Sequence, residues 1–220
     1  VEQQPSAAPY HDWNERIYDE CYRPNAHSGL LDAHGMITDI YNNYETMSFN
    51  FGPTLFSWIE QYHKGTAQRI IDADKKSAEM FNGHGNSIAQ VYNHTIMPLA
   101  SRKDKLTQLR WAKLFFIQKF GREPEGIWLA ETAINMETVN CLIEENFKFV
   151  ILSPNQAESF RPLDHHSHWT STAHHPIDTK RTYRIVPRDA SGNQTTGGHL
   201  DVFFFDEGLS KEVSFMDLLK

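Results

Sequence analysis

The sequence predicts an α/β fold in which neighbouring strands are parallel. From about Met47 onward, short β-type runs alternate with loops and with longer stretches of helical spacing. Parallel strands need a helix between them, because a tight turn can join only antiparallel strands. The chain has 220 residues, of which 40% are hydrophobic and 22% charged, so it can bury one substantial core.

The elements follow in order along the chain. Residues 1–44 are polar and irregular, and they are predicted to form a long ordered loop with one short helix. Residues 155–200 are rich in His, Ser, Thr and Gly, which predicts an insertion around one or two short strands. The predicted strands are MSFNF, NSIAQVY, GIWLA, FKFVILS and HLDVFFFDEGLS. The predicted helices are TLFSWIEQYH, a helix from near Pro98, Lys105–Phe120, Met136–Glu145 and a last one that starts at KEVSFMDLL.

Composition excludes some partners. The formal net charge of −7 argues against nucleic acid and anionic membranes, since both are bound through clustered Lys and Arg. No apolar run approaches the ~20 residues that cross a bilayer. Cys21 and Cys141 match no metal or redox spacing, which favours reduced thiols and the cytoplasm. The stretch from Val1 resembles the interior of a longer polypeptide, so a removed signal sequence stays open.

Polar side chains gather where the predicted strands end. In parallel α/β barrels the carboxyl ends of the strands meet at one mouth, which carries the chemistry. Strands also end in polar residues for ordinary reasons, and an acid before a helix meets a favourable dipole. The residues at these ends are Asn50, Tyr92, Asn93, His94, Glu131, Ser153, Asp206 and Glu207.

Glu131 differs from a plain helix cap because it follows Trp128 by three residues. An aromatic ring offers a sugar a flat apolar face, and a carboxylate can attack or shield its anomeric carbon. Glycoside cleavage needs a second carboxyl group, and Asp206 and Glu207 are both candidates within the chain. The residue pattern does not choose between them.

Four segments together resemble glycoside hydrolase family 57. GIWLAETA is similar to that family's nucleophile motif, in which a Trp and a Glu three residues later close the fourth strand of an incomplete (β/α)7 barrel. MSFNFGPTLFSWIE, AQVYNHTIMPLA and VFFFDEGLSKEVSF resemble further segments of one branch, in the family's order. The resemblance runs from about Tyr10 to the end. It implies that residues 1–220 are part of a single catalytic barrel with an insertion near 155–200.

The resemblance also implies a function. The family hydrolyses, transfers or branches α-glucans such as maltooligosaccharides, with retention and with neither metal nor cofactor. Carried over by position, Glu131 is the nucleophile. Trp128, His94, Asn50 and Asp206 would line the sugar site.

Two departures from the family pattern limit this expectation. The His-rich opening motif that ends in Gln-Pro is not found, and the family's acid, an Asp, would fall beyond Lys220. The expected barrel therefore lacks its first strand and its last part. We expect the chain alone to be inactive, and to self-associate or to pair with missing segments of the same polypeptide.

Two other functions remain open at this point. The histidines of the insertion suggest a metal-dependent carbohydrate deacetylase on a related barrel, although their spacing matches no metal motif and adjacent histidines point apart on a strand. A non-catalytic glucan-binding protein is the other alternative. The histidines concerned are His165, His166, His168, His174 and His175.

Overall fold

The computed structural model describes residues 2–164, 167–189, 191–195 and 197–216. These residues form two compact units. The first comprises Val1–Asn93 and Trp111–Pro124, and the second comprises His94–Arg110 and Glu125–Lys220. One helix, α5 (Arg102–Phe120), contributes its residues up to Arg110 to the second unit and the rest to the first.

The first unit is mostly helical. Residues 1–44, predicted as a loop with one short helix, hold two short helices and a hairpin, so that prediction was wrong. The strand predicted over MSFNF is only an isolated parallel bridge between Phe49 and Ser87. The elements are α1 (Trp13–Ile17), a π-helical turn (Tyr18–Tyr22), α2 (Arg23–Ala26), β1 (Ser28–Leu31), β2 (Ile37–Tyr41), α3 (Pro53–Tyr62), α4 (Lys64–Met80) and β3 (Ala89–Gln90).

An aromatic cluster fills the core of this unit. The rings of Phe49, Phe51 and Phe56 meet edge-on, with centroids 5.9 Å and 5.7 Å apart. Edge-to-face contacts of this kind add to the burial of the rings themselves. Pro53 begins α3, where its missing N–H costs no helical hydrogen bond, and Ile59 from the same helix is fully buried.

A buried ion pair closes the first unit. Asp74 is 1% exposed and accepts two hydrogen bonds from Arg122, at 2.7 Å from Nη2 and 2.9 Å from Nε. The same carboxylate accepts the Ser87 N–H at 2.7 Å, and Arg122 donates to the Ser87 carbonyl oxygen at 2.8 Å. Every charge in this cluster therefore has a hydrogen-bonded partner.

The second unit carries the sheet. The predicted helix Met136–Glu145 and the strands GIWLA and FKFVILS are confirmed, each within a few residues. The strand predicted over HLDVFFFDEGLS is right only for its first part: it ends at Phe204, because Asp206 caps a helix that already begins at Glu207. The helix predicted from Pro98 is only a 3-10 turn, Met97–Leu99. The elements are α5 (Arg102–Phe120, up to Arg110), β4 (Gly126–Trp128), α6 (Met136–Glu144), β5 (Phe149–Leu152), β6 (Ser159–Phe160), β7 (Thr170–Ser171), β8 (Thr182–Ile185), β9 (Leu200–Phe204) and α7 (Glu207–Phe215).

Four strands of this unit pair in the order β4, β5, β9, β8. The β4/β5 and β5/β9 pairs are parallel, as predicted, and β8 pairs with β9 antiparallel. An entirely parallel sheet was therefore the wrong expectation. The reason is local: the described residues of 186–199 form no helix, and parallel strands need a longer crossover, usually helical. The described residues of the insertion hold three short strands where one or two were predicted.

Close packing between β4 and β5 depends on one glycine. Gly126 lies opposite Phe149, and a Cβ at position 126 would stand 2.2 Å from the Phe149 ring. A side chain there would have to displace the ring. Ile127 and Val150, the next pair along the two strands, are both fully buried.

Ion pairs fasten α6 to the first half of α5. Arg102 binds Glu144 at 2.5 Å, and Arg110 binds Glu145 at 2.7 Å. Lys105, only 1% exposed, pairs with Glu137. Among the described residues, none of the helices is long and apolar enough to cross a bilayer.

Candidate active site at the carboxyl edge of the sheet

The parallel strands β4, β5 and β9 bring three loops to one edge of the sheet. Neighbouring parallel strands start and finish on the same sides, so the residues after each strand lie at a common edge. Of the polar residues predicted at strand ends, hydrogen bonds between these loops bring together Ser153 and Glu207. The three loops are Leu129–Ala133 after β4, Ser153–Ala157 after β5 and Phe205–Glu207 after β9.

The backbone at Glu131 is unusual. Glu131 lies in a 3-10 turn, Ala130–Thr132, with φ 54° and ψ 21°, and Thr132 follows with φ 52°. Two successive L-residues in the left-handed region cost of order 1–3 kcal/mol each, and such strain persists where surrounding structure imposes it, often at active sites. The turn therefore marks Glu131 as a functional candidate on grounds independent of the sequence motif.

Gln156 holds this turn in place. Its Nε2 donates to the Thr132 carbonyl oxygen at 2.5 Å, while its Oε1 accepts the Ser153 N–H at 2.9 Å. Sequence reasoning missed Gln156. The signal was present, since Ser153-Pro154-Asn155-Gln156 has the Ser-x-x-Gln pattern of a capping box, which the structure contains.

The two acids after β9 are both engaged. Asp206 is the N-cap of α7, where its carboxylate accepts the Leu209 N–H at 2.9 Å. Glu207 accepts hydrogen bonds from Ser153 Oγ at 2.7 Å and from Asn155 Nδ2 at 2.5 Å, which ties the β9 loop to the β5 loop. The predicted role of Asp206 in sugar binding stays a prediction beside this capping role.

Glu131 differs from both. Its side chain is exposed, and within the described ranges its carboxylate has neither a hydrogen-bond donor nor an ion-pair partner. The negative charge at the carboxyl end of β4 is thus solvated and accessible to a ligand. The described structure therefore gives this carboxylate no evident packing role.

The other predicted residues lie at the following places. Trp128 is the last residue of β4 and is half-buried. His94 is exposed and also has a left-handed backbone, with φ 53°. Asn50 is half-buried in the first unit, directly after the bridge residue Phe49. Roles for these three in binding sugar stay predictions.

The helix that follows the Glu131 turn, α6, has a hydrogen-bonded N-cap. Asn135 is the N-cap of α6, and its side-chain oxygen accepts both the Thr138 N–H at 2.9 Å and the Thr138 hydroxyl at 2.7 Å. Thr138 is completely buried. The turn is therefore held from both sides, by Gln156 across the edge and by the capped helix along the chain.

A metal centre finds no support in the described part of the chain. There, no group of three or more His, Cys, Asp or Glu side chains is placed to hold a metal ion. Of the five histidines that suggested a deacetylase, His168, His174 and His175 are described, and His165 and His166 lie outside the described residues.

A mainly parallel sheet with acids at its carboxyl edge is the arrangement of an α/β enzyme. The family model for glycosyl hydrolase family 57 matches residues 9–217, and the chain belongs to that family. The resemblance noted in the sequence is thereby confirmed.

Known relatives are distant and longer. Alpha-amylase 1 of Dictyoglomus thermophilum is 24% identical over 139 residues, which cover 63% of this chain and 18% of that protein. The 4-alpha-glucanotransferase of Thermococcus litoralis superposes with a TM-score of 0.55 and 18% identity, over 80% of this chain and 24% of that one. An exo-type maltose-forming amylase from Pyrococcus sp. ST04 superposes with a TM-score of 0.55 and 15% identity. The match covers 95% of this chain and 31% of that one. The chain thus spans less than a third of each of these three relatives.

Proposed function

We propose that the protein is a retaining glycoside hydrolase or glucanotransferase that acts on α-glucans, with Glu131 as its nucleophile. Family membership supports a glycoside hydrolase or a related glycosyl-transferring enzyme. The observation that carries the assignment to Glu131 is its left-handed backbone at the carboxyl end of β4, combined with a carboxylate that no other described group engages.

The proposed reaction has two steps. In the first, a Glu131 carboxylate oxygen forms a bond to the anomeric carbon while the glycosidic C–O bond breaks, and a general acid gives its proton to the leaving oxygen. In the second step, the same group acts as a base and takes a proton from water or from a sugar hydroxyl. The oxygen of that acceptor then bonds to the anomeric carbon while the ester bond to Glu131 breaks. Attack from water gives hydrolysis, and attack from a sugar gives transfer or branching.

We assign the general acid to a part of the polypeptide outside this chain. Asp206 caps α7 and Glu207 is bound by two side chains of the β5 loop, so both have structural work. The curated relative is several times longer than the matched region, which leaves room for the acid elsewhere. On this proposal, which keeps the incomplete (β/α)7 barrel as its framework, the 220-residue chain alone does not turn over substrate.

The test is the Glu131→Gln variant of the full-length protein, assayed with maltooligosaccharides. Glutamine has the shape of glutamate but cannot form a glycosyl ester that water readily hydrolyses, so turnover should be lost while the fold is kept. Glu207→Gln is the control, since it changes an acid at the same edge. Near-normal turnover in Glu131→Gln would remove Glu131 from the mechanism. A wild-type protein that binds glucan without any turnover would favour the non-catalytic alternative.

We propose the cytoplasm as the compartment. Cys21, which is exposed, and Cys141, which is buried, form no disulfide, and burial raises the pKa of the Cys141 thiol, as suits a reduced cysteine. Cell fractionation of a tagged full-length protein tests this, and recovery from the medium or the envelope would contradict it.

A further inference from the structure

The second unit contains a cavity of about 1120 Å³ that the insertion builds against the sheet. Its walls come from the insertion, from β8 and β9, and from the residues that open α6. Binding cavities for small molecules usually measure about 300–1,000 Å³, so this one is large enough for an extended ligand. Of the residues described at the candidate active site, Asn135 and Gln156 also line this cavity.

The cavity adjoins the loops of the candidate active site. Ile134 and Asn135, which line it, follow Glu131 by three and four residues. Gln156 lines it as well, and the same side chain donates to the Thr132 carbonyl oxygen at 2.5 Å. The cavity therefore begins beside the turn that contains Glu131, although Glu131 itself does not line it.

Aromatic rings form part of the wall. Phe160 meets Tyr183 edge-on with ring centroids 5.9 Å apart, and Tyr183 meets Phe204 at 5.4 Å. Trp169 lies in the same wall and is 55% exposed. An indole left this open to solvent is a poor core residue and a good stacking platform for the apolar face of a sugar ring.

Arginines supply hydrogen-bond donors beside the rings. The Arg161 guanidinium lies 4.8 Å from the Trp169 ring centre, and among the described residues it has no carboxylate partner. Arg188 donates to the Gly192 carbonyl oxygen at 2.7 Å and keeps further N–H groups for a ligand. The cavity's other arginines are neutralised, Arg184 by Asp201 at 2.8 Å and Arg181 by Asp178 at 2.9 Å. The wall is therefore aromatic and rich in donors, and its arginines outnumber its acids, Glu158 and Asp201.

We propose that this cavity binds a segment of the α-glucan chain remote from the bond that reacts, with Trp169 as the stacking platform and Arg161 as a donor to sugar hydroxyls. The inference rests on the proposed function for its substrate class. A hydroxyl-rich chain fits walls of this kind, because sugar rings stack on aromatic faces and sugar hydroxyls accept hydrogen bonds from guanidinium N–H groups. The insertion would thus set the enzyme's preference for long substrates.

The experiment compares kcat/KM for maltoheptaose with kcat/KM for maltotriose in the full-length protein. Maltoheptaose occupies sites beyond those that maltotriose can fill, so the ratio measures the contribution of remote binding sites. Trp169→Ala should lower the ratio roughly 2- to 12-fold, the range that about 0.5–1.5 kcal/mol of aromatic contact gives. Trp13→Ala is the matched control, because Trp13 is also exposed and also carries an arginine, Arg16, 4.9 Å from its ring centre.

An unchanged ratio in Trp169→Ala, or an equal fall in Trp13→Ala, would overturn the inference. Its failure is separable from that of the proposed function. Calorimetric titration of maltoheptaose into Glu131→Gln measures binding without turnover, and adding Trp169→Ala to that variant should weaken binding by a similar factor. Undiminished binding in the double variant would count against the cavity even if Glu131 proves catalytic.

Discussion

Asp74 in the first unit and Glu131 in the second are carboxylates in opposite states. Asp74 is buried and accepts hydrogen bonds from Arg122 and from the Ser87 N–H. Glu131 is exposed on a left-handed backbone and, within the described ranges, has no partner. A buried charge must be paired or its desolvation would unfold the structure, whereas a solvated charge on a strained turn contributes nothing evident to stability.

The contrast separates structural acids from chemical ones. Every bond that Asp74 accepts holds two parts of the first unit together, so its loss should appear in stability. The bonds around Glu131 reach its neighbours and not its own carboxylate, since Gln156 binds Thr132 and Asn135 caps α6. Its loss should appear in turnover alone.

Glu131→Gln gives the largest expected effect. Turnover of maltooligosaccharides by the full-length protein should fall by roughly 10³-fold or more, as when other enzymes lose a nucleophile. The free energy of unfolding of the chain, measured by urea titration, should stay within about 0.5 kcal/mol of wild type. A large loss of stability would place Glu131 with Asp74 among the structural acids.

Asp74→Asn should lower the free energy of unfolding, which Glu131→Gln leaves nearly unchanged. Breaking a fully buried ion pair costs about 3–5 kcal/mol, and we expect the lower end of that range because Arg122 is only partly buried. Urea titration of the 220-residue chain measures this loss. Asp72→Asn, two residues away on the exposed side of α4, is the control and should change stability by less than about 0.5 kcal/mol. Equal effects from the two variants would contradict the account.

Gln156→Ala tests whether the turn must be held. Without the bond to the Thr132 carbonyl oxygen, Glu131 should lose its orientation, and kcat should fall about 10- to 100-fold with KM little changed, as small misplacements of reacting groups do. Asn155→Ala removes a bond from the same loop to Glu207 and should affect kcat much less. If kcat is unchanged in Gln156→Ala, the turn keeps its shape without the hydrogen bond from Gln156.

Asp206→Ala should cost about 1 kcal/mol of stability through the lost helix cap. Asp206→Asn should recover most of that loss, since asparagine caps about as well as aspartate. Thermal or urea unfolding of both variants measures the difference. A KM for maltooligosaccharides that rises in both variants would add the predicted sugar contact to the capping role.

The smallest effect concerns pH. His11 hydrogen-bonds to Asp12 and, with the backbone N–H groups of Glu15 and Asn14, lowers the pKa of that buried carboxyl. A carboxyl whose pKa is lower in the folded state adds stability above its unfolded pKa of about 3.9 and loses it as pH falls through the folded pKa. Relative to Asp12→Asn, wild type should therefore lose stability below about pH 4. The measurement is the free energy of unfolding of both proteins from about pH 3 to about pH 7. A difference between them that does not change with pH would contradict this expectation.

Sequence patterns predicted the second unit better than the first. The strands around Ile127, Val150 and Val202 are continuous apolar runs, and α6 has clear helical spacing, so burial and sequence agree. The hairpin β1–β2 was missed because its residues do not alternate between apolar and polar. Apolar residues such as Leu30 and Ile37 are exposed in it. The antiparallel β8 was missed because its direction depends on the form of the connection to β9.

At the site, the sequence indicated which residues follow the strands but not their state. Glu131, Ser153, Asp206 and Glu207 were all placed at strand ends correctly. That Asp206 caps a helix while Glu131 has a left-handed backbone depends on dihedral angles, and no residue type at Glu131 or Thr132 signals a positive φ. Gln156 alone had a readable signature, the capping box.

The most direct test of the central claim is covalent trapping at Glu131. Full-length protein treated with a fluorinated glycosyl fluoride, which forms the glycosyl ester faster than it is hydrolysed, is digested with trypsin and examined by mass spectrometry. The account predicts one added sugar on the peptide of residues 123–148, at Glu131, and none in Glu131→Gln. A sugar ester on Asp206, Glu207 or any other residue would contradict it.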